Sequence, residues 1–199
     1  MKLNSRFVYS VSLVAAVGGF LFGFDLAVMA GAIPFLMRRF SLAPAELGMV
    51  VSSVALGCMV GTMISGILSD WLGRKKLLLV AAIVFFFSSI FAGLPNSVLM
   101  LILARIFSGV AIGISSPISP VYISELAPAK IRGRLVTLNQ LAITLGFLGA
   151  YVVDWLVASV GTPAWRDDYA WRWMFVAGAI PSVLFFFLLL TVPESRGTC

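Results

Sequence analysis

Two residues of opposite charge stand where a chain this apolar carries almost none. Asp25 falls inside the apolar run 7–31 and Arg105 inside the run 98–120. A charge at the centre of a bilayer costs at least ~2.5–3.5 kcal/mol, so an ionisable residue at that depth is first a candidate for function. Counting along the two runs at ~1.5 Å per residue puts both groups roughly 9–15 Å below the same surface. Opposite charges at matched depth can partner, which lessens the cost of burying either one. Two chemistries stay open. A permanent salt bridge would fix the helices in place. A proton switch would hold ionised Asp25 on Arg105 and release Arg105 when Asp25 takes a proton. Poor solvation disfavours a carboxylate while a neighbouring Arg favours it, and that opposition is what a titratable switch requires. Asp154, near the end of another run, reads as an interfacial residue instead.

Other chemistries find no support in the residue types. There is no histidine, which removes His-based catalysis and the commonest metal ligand. Of the two cysteines, Cys58 lies within an apolar run and Cys199 is the last residue, which offers neither a disulfide framework nor a metal site. The glycines of Gly18-Gly19-Phe20-Leu21-Phe22-Gly23 lie inside an apolar run rather than between a strand and a helix, so they form no dinucleotide loop. With no nucleophile–base pair, metal cluster or phosphate loop, the expectation is no enzyme, no cofactor and no nucleic-acid partner.

The elements that must position these charges are membrane spans. Hydrophobic residues make up 61% of the 199 and charged residues 11%, against about 25% charged in soluble domains. Mean hydropathy is +1.07. A span needs about 20 apolar residues, and six runs satisfy that: 7–31, 47–69, 77–94, 98–120, 136–160 and 171–192. The connections between them, including 34–46 and 161–169, are too short for a folded extramembrane domain. The first run is too long for a signal peptide and contains Asp25, so it is expected to stay as the first span. The fold class is therefore an all-α membrane protein of six transmembrane helices.

Placing the N-terminus inside puts Lys2, Arg6, Arg74, Lys75, Lys76, Lys130, Arg132, Arg134 and Arg196 on the inner segments. Only Arg38, Arg39, Arg166 and Arg172 then lie outside. The positive-inside bias puts both termini in the cytoplasm, of a plasma membrane or a bacterial inner membrane. Trp155, Trp165, Trp171 and Trp173 cluster near one outer interface, where indole rings are favoured. Small residues recur at every fourth position: Gly19, Gly23, Ala27 and Gly31 in the first span, Ser53, Gly57, Gly61 and Ser65 in the second, Gly109 and Gly113 in the fourth. Such stripes let helix backbones approach closely in lipid; a sliding surface is the other reading.

In order along the chain, several motifs match one family. Gly19-Phe20-Leu21-Phe22-Gly23-Phe24-Asp25 resembles the first-helix signature of the sugar porter family of the major facilitator superfamily. The segment from Gly66 through Asp70 and Trp71 to Gly73-Arg74-Lys75-Lys76 resembles that superfamily's loop motif. Ala104-Arg105 with Gly109 and Gly113, then Pro120, Tyr122, Glu125, Pro128 and Ile131-Arg132-Gly133, resemble the fourth helix and its exit. Asn139-Gln140, Ile143 and Gly146 resemble the fifth helix, and Trp171-Arg172-Trp173-Met174 with Pro193-Glu194-Ser195 the sixth.

The resemblance implies two six-helix bundles, each of two inverted three-helix repeats, of which this chain supplies the first. It implies alternating access, with a sugar, most simply a monosaccharide, bound near the midplane and moved with protons. Asp25 and Arg105 would carry the coupling, and Phe22, Gln140 and Ile143 would line the sugar pocket. Gly66, Asp70, Gly73, Arg74, Glu125, Arg132, Glu194 and Arg196 would form a cytoplasmic gate, latched by carboxylate–Arg pairs between helix ends. For Lys75, Lys76 and Lys130 plain solvated charge is the better reading. Departures from the family pattern are Trp71 in place of a basic residue, Phe147 where some members carry a second Gln, and the missing second proline after Pro193. Alternatives are a porter for another small solute, such as a polyol or an organic acid, or a transport-inactive fragment or membrane subunit. The partner completing the pore would be a second six-helix half or a second copy of the chain.

Overall fold

A computed structural model of the chain describes residues 5–126 and 131–191, the side chains of 5–15 and 126 excepted. Five long helices come first: α1 (Ser5–Phe40), α2 (Pro44–Leu72), α3 (Arg74–Gly93), α4 (Val98–Leu126) and α5 (Arg132–Ser159). The sixth, α6, runs over Pro163–Leu190 and is pieced together from a short α-turn, a π-helical turn at Arg166–Ala170, and two α-helical stretches that meet at Gly178. All six are long and apolar enough to cross a membrane. In lipid the backbone must satisfy its own hydrogen bonds, and helices do that within one segment. The protein is an integral membrane protein of all-α architecture.

Local chemistry sets the ends. Ser41, at φ 49°, turns the chain out of α1. Pro44 sits in the first turn of α2, where its missing N–H is no loss. The Ala43 N–H donates to the Glu46 carboxylate at 2.9 Å. A single residue, Gly73, separates α2 from α3; its φ of 82° lies in the region that disfavours side chains. Thr162 caps α6, its hydroxyl accepting the Trp165 N–H at 3.4 Å.

Every helix is longer than its apolar run, and three extend by six residues or more at one end. α1 continues through Pro34 to Phe40, and α4 continues through Pro117 and Pro120 to Leu126. A proline removes one ladder bond, and neighbouring helices in a membrane bundle make that tolerable. α6 begins at Pro163, so 161–169 is mostly helical turn rather than loop.

Two apolar clusters fill the bundle. One gathers Leu77, Leu78, Tyr122, Ile123, Phe185 and Leu189; the other gathers Phe24, Val28, Leu36, Leu101, Trp171 and Met174. Along α1 the first cluster holds Leu21 and the second Phe24; along α4 the second holds Ala104 and the first Ala111. Asp25 and Arg105 thus sit at the join. Trp171 is fully buried and not at the interface, because it packs edge-on against Phe40 of α1 at 5.8 Å. Trp155 and Trp173 are exposed, as interfacial rings are. Outward-facing Met63, Ile67, Leu148 and Phe187 are exposed, which suits a lipid surface.

The small-residue stripes are contact surfaces. α1 packs along α5 and α2 along α4. A Cβ on Gly57 or Gly61 would run into the carbonyl of Ile106 or Val110, and one on Gly23 or Gly146 into that of Ile143 or Phe20.

Candidate functional site

The Arg105 Nη1 donates to Asp25 Oδ1 at 2.8 Å, and Nη2 reaches the Asp25 backbone carbonyl at 3.4 Å. The two side chains are only 6% and 2% exposed. Helix packing explains the meeting. α1 packs against α4, and the buried alanines Ala104 and Ala111 on either side of Arg105 leave room for the guanidinium. The guanidinium lies over the Phe175 ring of α6, 5.5 Å from its centroid, a placement favoured by the ring's negative face. Ser108 donates to the Arg105 backbone carbonyl at 2.9 Å. Asp25 Oδ2 and Arg105 Nε are buried with no hydrogen-bond partner among the described residues. Beside them opens a small cavity lined by Ser88, Ser89, Ser108, Phe175 and Gly178. The pair is thus neither fully satisfied nor sealed in hydrocarbon, and protonation of Asp25 would remove the charge that holds Arg105.

The three residues expected to line a pocket lie on α1 and α5. Gly23 rests on the backbone of Ile143, which sets Phe22 beside that contact. Phe22 and Ile143 are half-buried, and Gln140, one turn before Ile143, is exposed. The Gln140 backbone carbonyl accepts the Thr144 hydroxyl at 3.2 Å. Its carboxamide has no partner among the described residues and stays available to a ligand.

At the opposite end from the α1–α2 connection, Arg74 donates through Nε to both oxygens of Glu125, at 2.7 and 2.8 Å. Its Nη2 lies 2.6 Å from Oε1, and its Nη1 donates to the Ser69 hydroxyl at 2.6 Å. This cluster ties α2, α3 and α4 together. Asp70 and Arg132 are exposed and make no ion pair among the described residues. Gly66 has open space around it, and Gly73 supplies the turn. Trp71 is 90% exposed. Glu194 and Arg196 lie outside the described residues, as do Lys130 and Cys199.

Some features were not foreseen from the sequence. At the end of the bundle that holds the α1–α2 connection, Arg38 meets Asp167 at 3.0 Å and Arg39 meets Asp168 at 3.5 Å. The matching Arg-Arg and Asp-Asp dipeptides carried that signal. Asp154, near the end of α5, faces protein: it is 6% exposed and pressed against Gly31. The glycine leaves room for a carboxyl that a larger residue would displace.

Comparison with known proteins bears on this arrangement. The family described as "Sugar (and other) transporter" matches residues 11–197. The chain belongs to the sugar transporter family. That family is one of transporters. Among its relatives, the arabinose-proton symporter of Bacillus subtilis is 47% identical over 189 residues, which is 95% of this chain and 41% of the relative. The D-xylose-proton symporter of Escherichia coli K12 is 38% identical over 220 residues, 98% of this chain and 45% of the relative. The chain thus spans about half the length of the curated relatives it matches. Among solved structures, the proton:xylose symporter XylE bound to 6-bromo-6-deoxy-D-glucose superposes with a TM-score of 0.91 at 37% identity, over 97% of this chain and 46% of that one. The six helices therefore have the fold of a major facilitator bundle.

Proposed function

We propose that this chain is the N-terminal half of a sugar transporter that moves a monosaccharide together with protons by alternating access. The observation that carries the reading is the buried Asp25–Arg105 pair, which joins two helices in a bundle of this fold. An ionised carboxylate holds the Arg, and a proton on the carboxylate frees it. Phe22, Gln140 and Ile143 form this half's wall of the sugar pocket: an apolar face for the ring and an amide for a hydroxyl. The relatives named for arabinose and xylose support a sugar as cargo.

The remaining wall comes from a second six-helix bundle, supplied by a second half or by a second copy of the chain. Both termini face the cytoplasm of a plasma or bacterial inner membrane, the orientation the Lys and Arg distribution favours. Arg74, Glu125 and Asp70, with Gly66 and Gly73, belong to the cytoplasmic gate. Arg132, Glu194 and Arg196 complete it when the gate closes.

The test is uptake by cells or proteoliposomes holding the complete transporter. Adding the transported sugar should alkalinise a weakly buffered medium. Uptake of a sugar without proton movement would leave a facilitator, and competition by organic acids but by no sugar would remove sugar as the cargo.

A further inference from the structure

A second carboxyl is buried between helices of the bundle, and the site described above does not use it. Asp154 of α5 is 6% exposed, and both of its oxygens are buried without a hydrogen-bond partner among the described residues. It fills the space beside Gly31 of α1, where an added Cβ would overlap its Oδ2 and Cγ. An ionised carboxylate in such a place has no counter-charge in contact among the described residues, and proteins neutralise a group so placed instead of burying it charged.

The charged neighbours are few and mostly taken. On α1, Asp25 is six residues inward, about 9 Å along the helix, and is paired with Arg105. Outward on α1, Arg38 and Arg39 are paired with Asp167 and Asp168 of α6. On α6, Arg172 is tied to Pro95 and Asn96. On α5 itself the nearest titratable group is Tyr151, which is exposed. Arg166 remains. Its Nη1 donates to the Ala158 carbonyl at 3.2 Å, and its Nε is buried and unpartnered among the described residues. Ala158 is four residues beyond Asp154, so the carbonyl that holds this guanidinium is about one turn, ~6 Å, farther along α5 than the carboxyl-bearing residue.

We propose that Asp154 is a second proton-binding site, carried as the neutral acid in this conformation, with Arg166 as the counter-ion that replaces the proton when it leaves. On ionisation the carboxyl O–H breaks and the proton passes to water at the outer end. Arg166 then moves one turn inward, from the Ala158 carbonyl to the carboxylate. Arg166 opens the π-helical turn whose Asp167 and Asp168 clasp the end of α1. The proton state of Asp154 is thereby linked to the outer junction of α1 and α6. The proposal does not depend on the cargo or on the coupling role of Asp25.

Infrared difference spectroscopy on the purified full chain in lipid tests it without a transport assay. Asp154→Asn mimics the neutral acid. It should leave thermal stability unchanged and remove a protonated-carboxyl C=O stretch present at neutral pH. Loss of carboxylate bands instead would overturn the proposal. Arg166→Gln should raise the pH at which that carboxyl ionises by about one unit or more; an unmoved midpoint would overturn the counter-ion role. Should Asp154→Asn fail to fold, the comparison of native chain with Arg166→Gln decides alone. A midpoint that moves up supports the site, and one that stays sinks it.

Discussion

Gly57 of α2 and Gly109 of α4 meet Cα to Cα. A Cβ added to Gly57 would stand 2.9 Å from the Gly109 Cα, and one added to Gly109 would stand 3.0 Å from the Gly57 Cα. Each glycine also abuts the carbonyl of the residue three places before its partner: Ile106 for Gly57, Val54 for Gly109. The same arrangement recurs between α1 and α5. Gly146 abuts the carbonyl of Phe20, and Gly23 that of Ile143. The contact is thus used twice, with α1 in the place of α4 and α5 in the place of α2, as two inverted three-helix repeats require.

Enlarging these glycines should therefore be severe. Gly57→Val and Gly23→Val push a side chain into a backbone carbonyl, which no rotamer change relieves. Each should cost about 1–3 kcal/mol or more, read as a lowered thermal unfolding temperature in detergent. Gly48→Ala and Gly133→Ala are the controls, since nothing lies within 4 Å of a Cβ there. They should be neutral or slightly stabilising, as Ala is preferred over Gly in helices by roughly 0.5–1 kcal/mol.

Removing one member of the buried pair should separate chemistry from structure. Arg105→Ala leaves Asp25 buried without its partner and should destabilise by about 3–5 kcal/mol. Asp25→Asn keeps a hydrogen-bonding side chain of the same shape, so the fold should survive. In the complete transporter that variant should still exchange labelled for unlabelled sugar across the membrane, yet fail to concentrate it. Accumulation against a gradient by Asp25→Asn would show that the switch lies elsewhere.

How legible this was from the sequence differs by residue, for physical reasons. The six spans follow from apolar length alone, and the matched depths of Asp25 and Arg105 pointed to a meeting that side-chain geometry then displays at 2.8 Å. α1 and α4 run on past their apolar runs, through or beyond prolines. At Pro34, Pro117 and Pro120 the packed neighbours outweigh the local break. That Trp171 and Asp154 face protein could not be read in advance, because residue type alone cannot say which face of a helix points inward. Trp171 turns toward Phe40 and Asp154 toward Gly31. Phe175, beneath the Arg105 guanidinium, carried no signal, because one aromatic in an apolar run looks like any other.

Gln140 should matter to the cargo and hardly at all to stability. It is exposed, and its carboxamide has no partner among the described residues. In the complete transporter, Gln140→Ala should raise KM for the sugar by roughly tenfold, the equivalent of one hydrogen bond of about 1–1.5 kcal/mol. The unfolding temperature should hardly move. A lowered unfolding temperature with unchanged KM would make Gln140 interhelical glue instead.

The two ends of the bundle carry ion pairs of different worth. Arg74 holds both oxygens of Glu125 and the Ser69 hydroxyl, with side chains 23% and 32% exposed. Arg38 and Asp167 share one contact, at 66% and 39% exposure. Water and salt screen the second pair far more. Double-mutant cycles to alanine should give a coupling of about 0.5–3 kcal/mol for Arg74–Glu125 and about 0.2–1 kcal/mol for Arg38–Asp167. Raising the salt concentration should erase the second before the first. If the Arg74–Glu125 coupling in the complete transporter also vanishes when the inner gate is trapped open, that pair is a latch. If it persists, the pair is a fixed brace among α2, α3 and α4, and the gating charge must be sought at Asp70 and Arg132.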